Sequence, residues 1–132
     1  MKSLPWPGLL LVPLLSCSPK PPDFFEIQAS KAEQTFTIGL LKTDRWEKKV
    51  VFFNDTKKEI TIPSIVDSCK CYSLTLEKRS LGPGEKVPGL LSVDFAKEPG
   101  FRGLLLFSTD FQLDHGSGKP TKITAYFDVE KK

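Results

Sequence analysis

From Phe24 onward the hydrophobic residues come in short runs, and within most runs they alternate with polar ones: "FFEIQ", "TFTIGLL", "WEKKVVFF", "EITIPSIV", "CYSLTL", "GLLSVDFA", "RGLLLFS" and "KITAYFDV". Period two is clearest at the end, where Ile123, Ala125, Phe127 and Val129 fall on one side and Thr124, Tyr126 and Asp128 on the other. Leu91, Val93 and Phe95 repeat it. Alternation of this kind places successive side chains on opposite faces of a strand. Turn residues stand between the runs: Asn54-Asp55, Gly82-Pro83-Gly84, Pro99-Gly100 and His115-Gly116-Ser117-Gly118. No stretch sustains a helical period, so almost no helix is expected. Many short strands divided by glycine and proline turns predict an all-β fold, an Ig-like antiparallel β-sandwich of about seven to eight strands. Ten phenylalanines supply the bulk of its core.

The first residues follow another pattern. "MKSLPWPGLLLVPLLSC" has one basic residue, Lys2, then an apolar run from Gly8 to Leu15, far shorter than the ~20 residues of a spanning helix. It reads as an export signal over residues 1–16. Its ending, Leu14-Leu15-Ser16-Cys17, resembles the lipobox of bacterial lipoproteins, with Cys17 as the lipidated residue. That resemblance implies cleavage after Ser16 and acylation of Cys17. Several acyl chains together would anchor the protein firmly in a bilayer, because each buried methylene contributes roughly 0.8 kcal/mol. By resemblance to the lipoproteins of enteric bacteria, Ser18 in place of an aspartate implies the outer membrane, on its periplasmic side. "SPKPPD", residues 18–23, holds three prolines and reads as an extended tether between Cys17 and a domain spanning 24–132.

Charge changes this picture little. The net charge is +3, and most lysine pairs have acids nearby. Only Arg45, Arg79 and Arg102 are arginines, so no basic arginine stripe suits a nucleic acid.

From Phe53-Asn54 a series of motifs runs in order. Ser68-Cys69-Lys70-Cys71 follows a lysine-rich turn, Pro83-Gly84-Glu85 precedes a strand ending in Asp94-Phe95, and a glycine-led strand closes on Thr109-Asp110. Across residues 36–129 this series resembles the bacterial domain of unknown function 1573 family, which is related to an Ig-like module of ciliary and centrosomal proteins. The chain departs from the family in carrying Lys70 and Tyr72 where glycine and threonine are usual. The resemblance implies an Ig-like fold and an envelope location, and little mechanism.

Candidate chemistry is sparse. His115, the only histidine, lies two residues from Ser117, where neighbours point apart, and nothing resembles a nucleophile elbow. Asn54-Asp55-Thr56 matches a glycosylation sequon but reads as a strand-end turn. Gly82-Pro83-Gly84 has a proline where a phosphate cradle wants an N–H. No enzyme activity and no cofactor are expected. Cys69 and Cys71 carry the one constellation with chemical content. In a flat strand, residues i and i+2 lie ~6.7 Å apart, too far for a disulfide. The pair is therefore expected where a strand ends and the chain bends. It is open to four uses: packed thiols, a local disulfide, thiol exchange, or a soft metal such as Cu(I) with His115 as a third ligand. The expected function is a lipid-anchored, non-enzymatic binding or scaffolding module that takes a partner at a strand edge. The competing expectation is a copper-binding or thiol–disulfide exchange protein using Cys69 and Cys71.

Overall fold

The structure is a computed structural model. It describes residues 23–97, 100–116 and 119–132. The expected signal, lipidated Cys17, most of the tether, and Pro99, Ser117 and Gly118 lie outside the described residues.

Among the described residues nine strands form: β1 Phe24–Gln28, β2 Glu33–Leu41, β3 Arg45–Phe53, β4 Ile60–Asp67, β5 Tyr72–Leu76, β6 Ser80–Leu81, β7 Lys86–Asp94, β8 Gly103–Asp114 and β9 Thr121–Lys131. The one helical piece among the described residues is a 3-10 turn at Phe95–Lys97. Two sheets pack as a sandwich, one in the order β1-β3-β7-β5 and the other β2-β9-β8-β4-β6. The fold class is the expected one, with two differences. The strand count is higher because β6, two residues long, falls in a stretch that carries no alternation to announce it. Two edge pairings, β1 with β3 and β2 with β9, are parallel. The link 29–32 carries the chain from one sheet to the other, so β1 and β2 each join an edge without forming a hairpin.

Alternation builds the core. Ile123, Ala125, Phe127 and Val129 of β9 are all buried, as are Phe107, Phe111 and Leu113 of β8. Phe36 stacks between Phe25 and Phe127, with ring centroids 5.1 and 5.5 Å away. Phe52 meets Phe111 at 5.2 Å, and Phe95 stacks on Phe101 at 5.4 Å. Each fully buried phenylalanine contributes roughly 1.5–3 kcal/mol of transfer free energy. In β2 a bulge between Thr37 and Gly39, with Gly39 at φ 92°, shifts the alternation by one residue. Phe36 therefore faces inward before the bulge, while Leu41 is buried and Leu40 exposed after it.

The loops gather at two ends. One end carries 42–44, 68–71, 95–97 and 100–102, and the other carries 29–32, 54–59, 77–79, 82–85, 115–116 and 119–120. The Cys-x-Cys segment belongs to the first end and His115 to the second.

Candidate functional site

Strand β4 stops at Asp67 and β5 begins at Tyr72, so both cysteines sit in the connecting turn. Ser68 ties that turn to β8. Its N–H donates to the Ser108 carbonyl at 2.9 Å, and its Oγ accepts from the Ser108 N–H at 3.0 Å. The chain then bends at Lys70, bringing the Cys69 and Cys71 Cα atoms to 5.4 Å, and the two sulfurs are bonded. The bend removes the geometric bar that a flat strand would impose. The local disulfide is thus the form present among the uses the sequence left open.

The two sulfurs have different surroundings. Cys71 is a core residue, 4% exposed, and its carbonyl accepts from the Asp94 N–H at 2.7 Å. Cys69 is half-buried against the core, and Lys70 between them is exposed. The Cys71 N–H points at the Cys69 Sγ, 3.1 Å away.

Directly behind the turn lies a buried polar cluster that the sequence did not announce. Tyr72 faces inward with its ring 4.5 Å from that of Phe107. Its hydroxyl donates to the Ser108 carbonyl and lies 2.6 Å from the Thr109 hydroxyl. Thr109 Oγ1 is in turn 2.8 Å from Asp67 Oδ1, and the Leu74 N–H donates to Asp67 Oδ2 at 3.4 Å. Burial pushes the Asp67 carboxyl above the usual aspartate range, opposed in part by its bonds to Thr109 and Leu74. Burial likewise raises the Tyr72 hydroxyl. A polar residue that closes one strand and a tyrosine that opens the next were the only signals, and both looked like ordinary turn composition.

The other candidates are not brought to this site. His115 lies at the opposite end of the sandwich, its Nε2 3.3 Å from Thr121 Oγ1, so it is not a third ligand for the cysteines. Among the described residues, no three His, Cys, Asp or Glu side chains converge as a metal site. Asn54 is fully buried, with its amide nitrogen donating to the carbonyls of Lys58, Leu81 and Gly82, so the sequon cannot be glycosylated in the folded chain.

A second surface emerges on the outer face of the five-stranded sheet. Leu104, Leu106 and Leu40 are 75, 57 and 47% exposed. Leu104 and Leu40 both pair with Glu130, and Leu106 pairs with Asp128, so the leucines flank these two acids across neighbouring strands. Glu33 and Asp110 continue the acidic character along the face, each paired with Thr124. A legible signal was present. "GLLLFS" puts three leucines in succession, and a strand can turn only alternate ones inward.

The fold is shared by solved structures of low sequence identity. The VesB protease of Vibrio cholerae is similar with a TM-score of 0.60 at 13% identity, over 74% of this chain and 30% of that one. A protein of unknown function from Porphyromonas gingivalis W83 is similar with a TM-score of 0.59 at 12% identity, over 76% of this chain and 44% of that one. The chain therefore corresponds to less than half the length of either protein, and the likeness is one of fold. No family model matches the chain, and no curated protein matches it. The described part is an all-β, two-sheet sandwich domain.

Proposed function

We propose that the chain is a lipid-anchored protein of the bacterial envelope, held by acylated Cys17 on the periplasmic side of the outer membrane. Its sandwich acts there as a non-enzymatic binding module. The observation that carries the binding role is the exposed leucine set, Leu40, Leu104 and Leu106, on the outer sheet face. Large apolar side chains clustered on a regular sheet face mark contact surfaces in soluble domains. The interleaved acids Asp128 and Glu130 favour a protein partner with basic and apolar side chains. The non-enzymatic reading is supported by the placing of His115 beside Thr121 at one end of the sandwich, with Cys69 and Cys71 at the other. The motif order from Asn54 to Asp110 supports kinship with the domain of unknown function 1573 family.

The test has two parts. Mass spectrometry of the mature N-terminus should find an acylated Cys17, and Cys17→Ala should move the protein from the membrane to the soluble fraction. A photo-crosslinking residue at Leu104 should trap a defined protein adduct in cells, and one at the exposed Glu47 of β3 in the other sheet should not. An unmodified Cys17 would remove the anchor from the reading. Equal adducts at both positions would remove the leucine face.

A further inference from the structure

The Cys69–Cys71 bond closes over a single intervening residue. A disulfide stabilises mainly by restricting the unfolded chain, and the effect grows with loop length. A loop this small contributes little, so the bond is poorly explained as a staple. Its two sulfurs are also unequal. Cys71 is packed in the core, and Cys69 is the one that solvent and partners can reach. The Cys71 N–H, 3.1 Å from Cys69 Sγ, is placed to stabilise negative charge on that sulfur. Ser68 fixes the turn to β8 through two hydrogen bonds, and the Cys71 carbonyl fixes it to β7. The exchangeable bond thus sits on a rigid support. Strand β5 starts one residue later and, among the described residues, pairs as a strand with β7 alone; Asp67 takes the Leu74 N–H on its other edge, and the Leu76 end of that edge is left for an incoming extended segment.

From this arrangement we infer that Cys69–Cys71 is a thiol–disulfide exchange site for a polypeptide carrying two reduced cysteines, with Cys69 as the sulfur attacked. A thiolate of the partner attacks Cys69 Sγ in line with the sulfur–sulfur bond. A new bond forms to Cys69, the Cys69–Cys71 bond breaks, and Cys71 leaves with the electron pair and takes a proton from water. The partner's second thiolate then attacks its own sulfur in the mixed disulfide and releases Cys69 as a thiolate. The partner dithiol ends oxidised to a disulfide, and this protein ends with two thiols. Cys71, held two residues from Cys69, can also attack the mixed disulfide and expel the partner, which makes it the resolving residue. The inference does not rest on the leucine face or on the lipid anchor.

Full-length oxidised protein, incubated with an equimolar reduced peptide bearing two cysteines, should gain two thiols while the peptide gains one disulfide. Dithiothreitol serves as the small-dithiol arm. In Cys71→Ser, glutathione disulfide should form a mixed disulfide at Cys69 about tenfold faster than at Cys71 in Cys69→Ser, read by peptide mapping so that Cys17 is scored separately. Circular dichroism checks that both variants fold. Should either fail to, brief reduction of the wild-type protein followed by iodoacetamide gives the same order, with Cys69 alkylated first. A bond that resists both dithiols in the native protein overturns the proposal, as does faster or equal reaction at Cys71. Reduction by dithiothreitol but not by the peptide overturns the polypeptide partner.

Discussion

The side-chain amide of Asn54 donates to the backbone carbonyl of Leu81 at 3.1 Å, joining the loop after β3 to the short strand β6. The same nitrogen reaches the carbonyls of Lys58 and Gly82, and Oδ1 accepts from the Thr56 N–H and hydroxyl. The Asn54 backbone closes the arrangement, donating to Glu85 O and accepting from the Gly84 N–H. One buried residue thus holds two loops to one end of the sandwich. Asn54→Ala strands the buried Leu81 carbonyl and the half-buried carbonyls of Lys58 and Gly82, a buried one costing about 1–3 kcal/mol if left without a donor. The expected loss is about 3 kcal/mol, read from the midpoint of urea unfolding. Asn54→Asp should be at least as damaging, since the carboxylate keeps the shape but has no hydrogens to donate.

Gly89 marks a place where the two halves of a sheet come too close for any side chain. A Cβ there would lie 2.2 Å from the Thr75 carbonyl oxygen, 2.8 Å from Leu76 Cδ2 and 3.1 Å from Val50 Cγ2. The first of these is backbone and cannot step aside without breaking the pairing of β5 with β7. Gly89→Ala should therefore cost roughly 3 kcal/mol or more, within the range of severe overpacking. Hydrogen exchange should show β5 amides losing protection first. A variant with wild-type stability would mean that β5 does not sit where described.

Alternation alone carried most of the fold, because a strand that buries one face must repeat every second residue. This is visible in Ile123 to Val129 and again in Leu91, Val93 and Phe95. Direction is not encoded in that period, so the parallel entries of β1 and β2 were not legible. Nor was β6, whose two residues are too few to alternate. For the site, the bend at the cysteines followed from distance alone, since two sulfurs two residues apart cannot meet on a flat strand. Asp67, Tyr72 and Thr109 were invisible as a group. The register of β4 on β8 sets Asp67 beside Thr109, and Tyr72 reaches them from β5 in the opposite sheet, long-range relations that no local pattern states.

Lys131 is the last inward residue of β9 and only 5% exposed. Its Nζ donates to the Lys132 carbonyl at 3.0 Å and approaches Asp44 Oδ1 at 3.5 Å, while Asp44 itself is largely exposed. The aliphatic stem therefore closes the core, and the ammonium finds its partners at the rim. Lys131→Met keeps the stem's volume and removes the charge, and should leave stability within about 1 kcal/mol of wild type or raise it. Lys131→Ala removes the packing as well and should cost about 2 kcal/mol. A loss as large for Met as for Ala would show that the charge pair, not the stem, is what matters.

The cluster behind the cysteine turn gives a pH signature that can be worked out from its hydrogens. Tyr72 and Thr109 have one hydroxyl hydrogen each, yet three oxygen–oxygen contacts run from Ser108 O through Tyr72 and Thr109 to Asp67. Tyr72 serves the Ser108 carbonyl, and Thr109 can serve either Tyr72 or Asp67. A proton on Asp67 supplies the third hydrogen, letting the carboxyl donate to Thr109 and Thr109 donate to Tyr72. Burial favours the same neutral form, raising the folded value above the unfolded one of about 3.9. The folded chain then binds this proton more tightly than the unfolded chain. The stability it contributes is fully present below the unfolded value and is lost as pH rises through the raised folded value. Asp67→Asn removes the titration, and its amide can donate to Thr109 with Oδ1 left to accept from the Leu74 N–H. Unfolding free energies measured from pH 3 to pH 7, roughly the range in which carboxylates titrate, should show the variant gaining on wild type as pH rises. The difference should level off above the raised value. A difference independent of pH, or one that moves the other way, would mean that Asp67 is a carboxylate throughout and that the Thr109 hydrogen is committed to it.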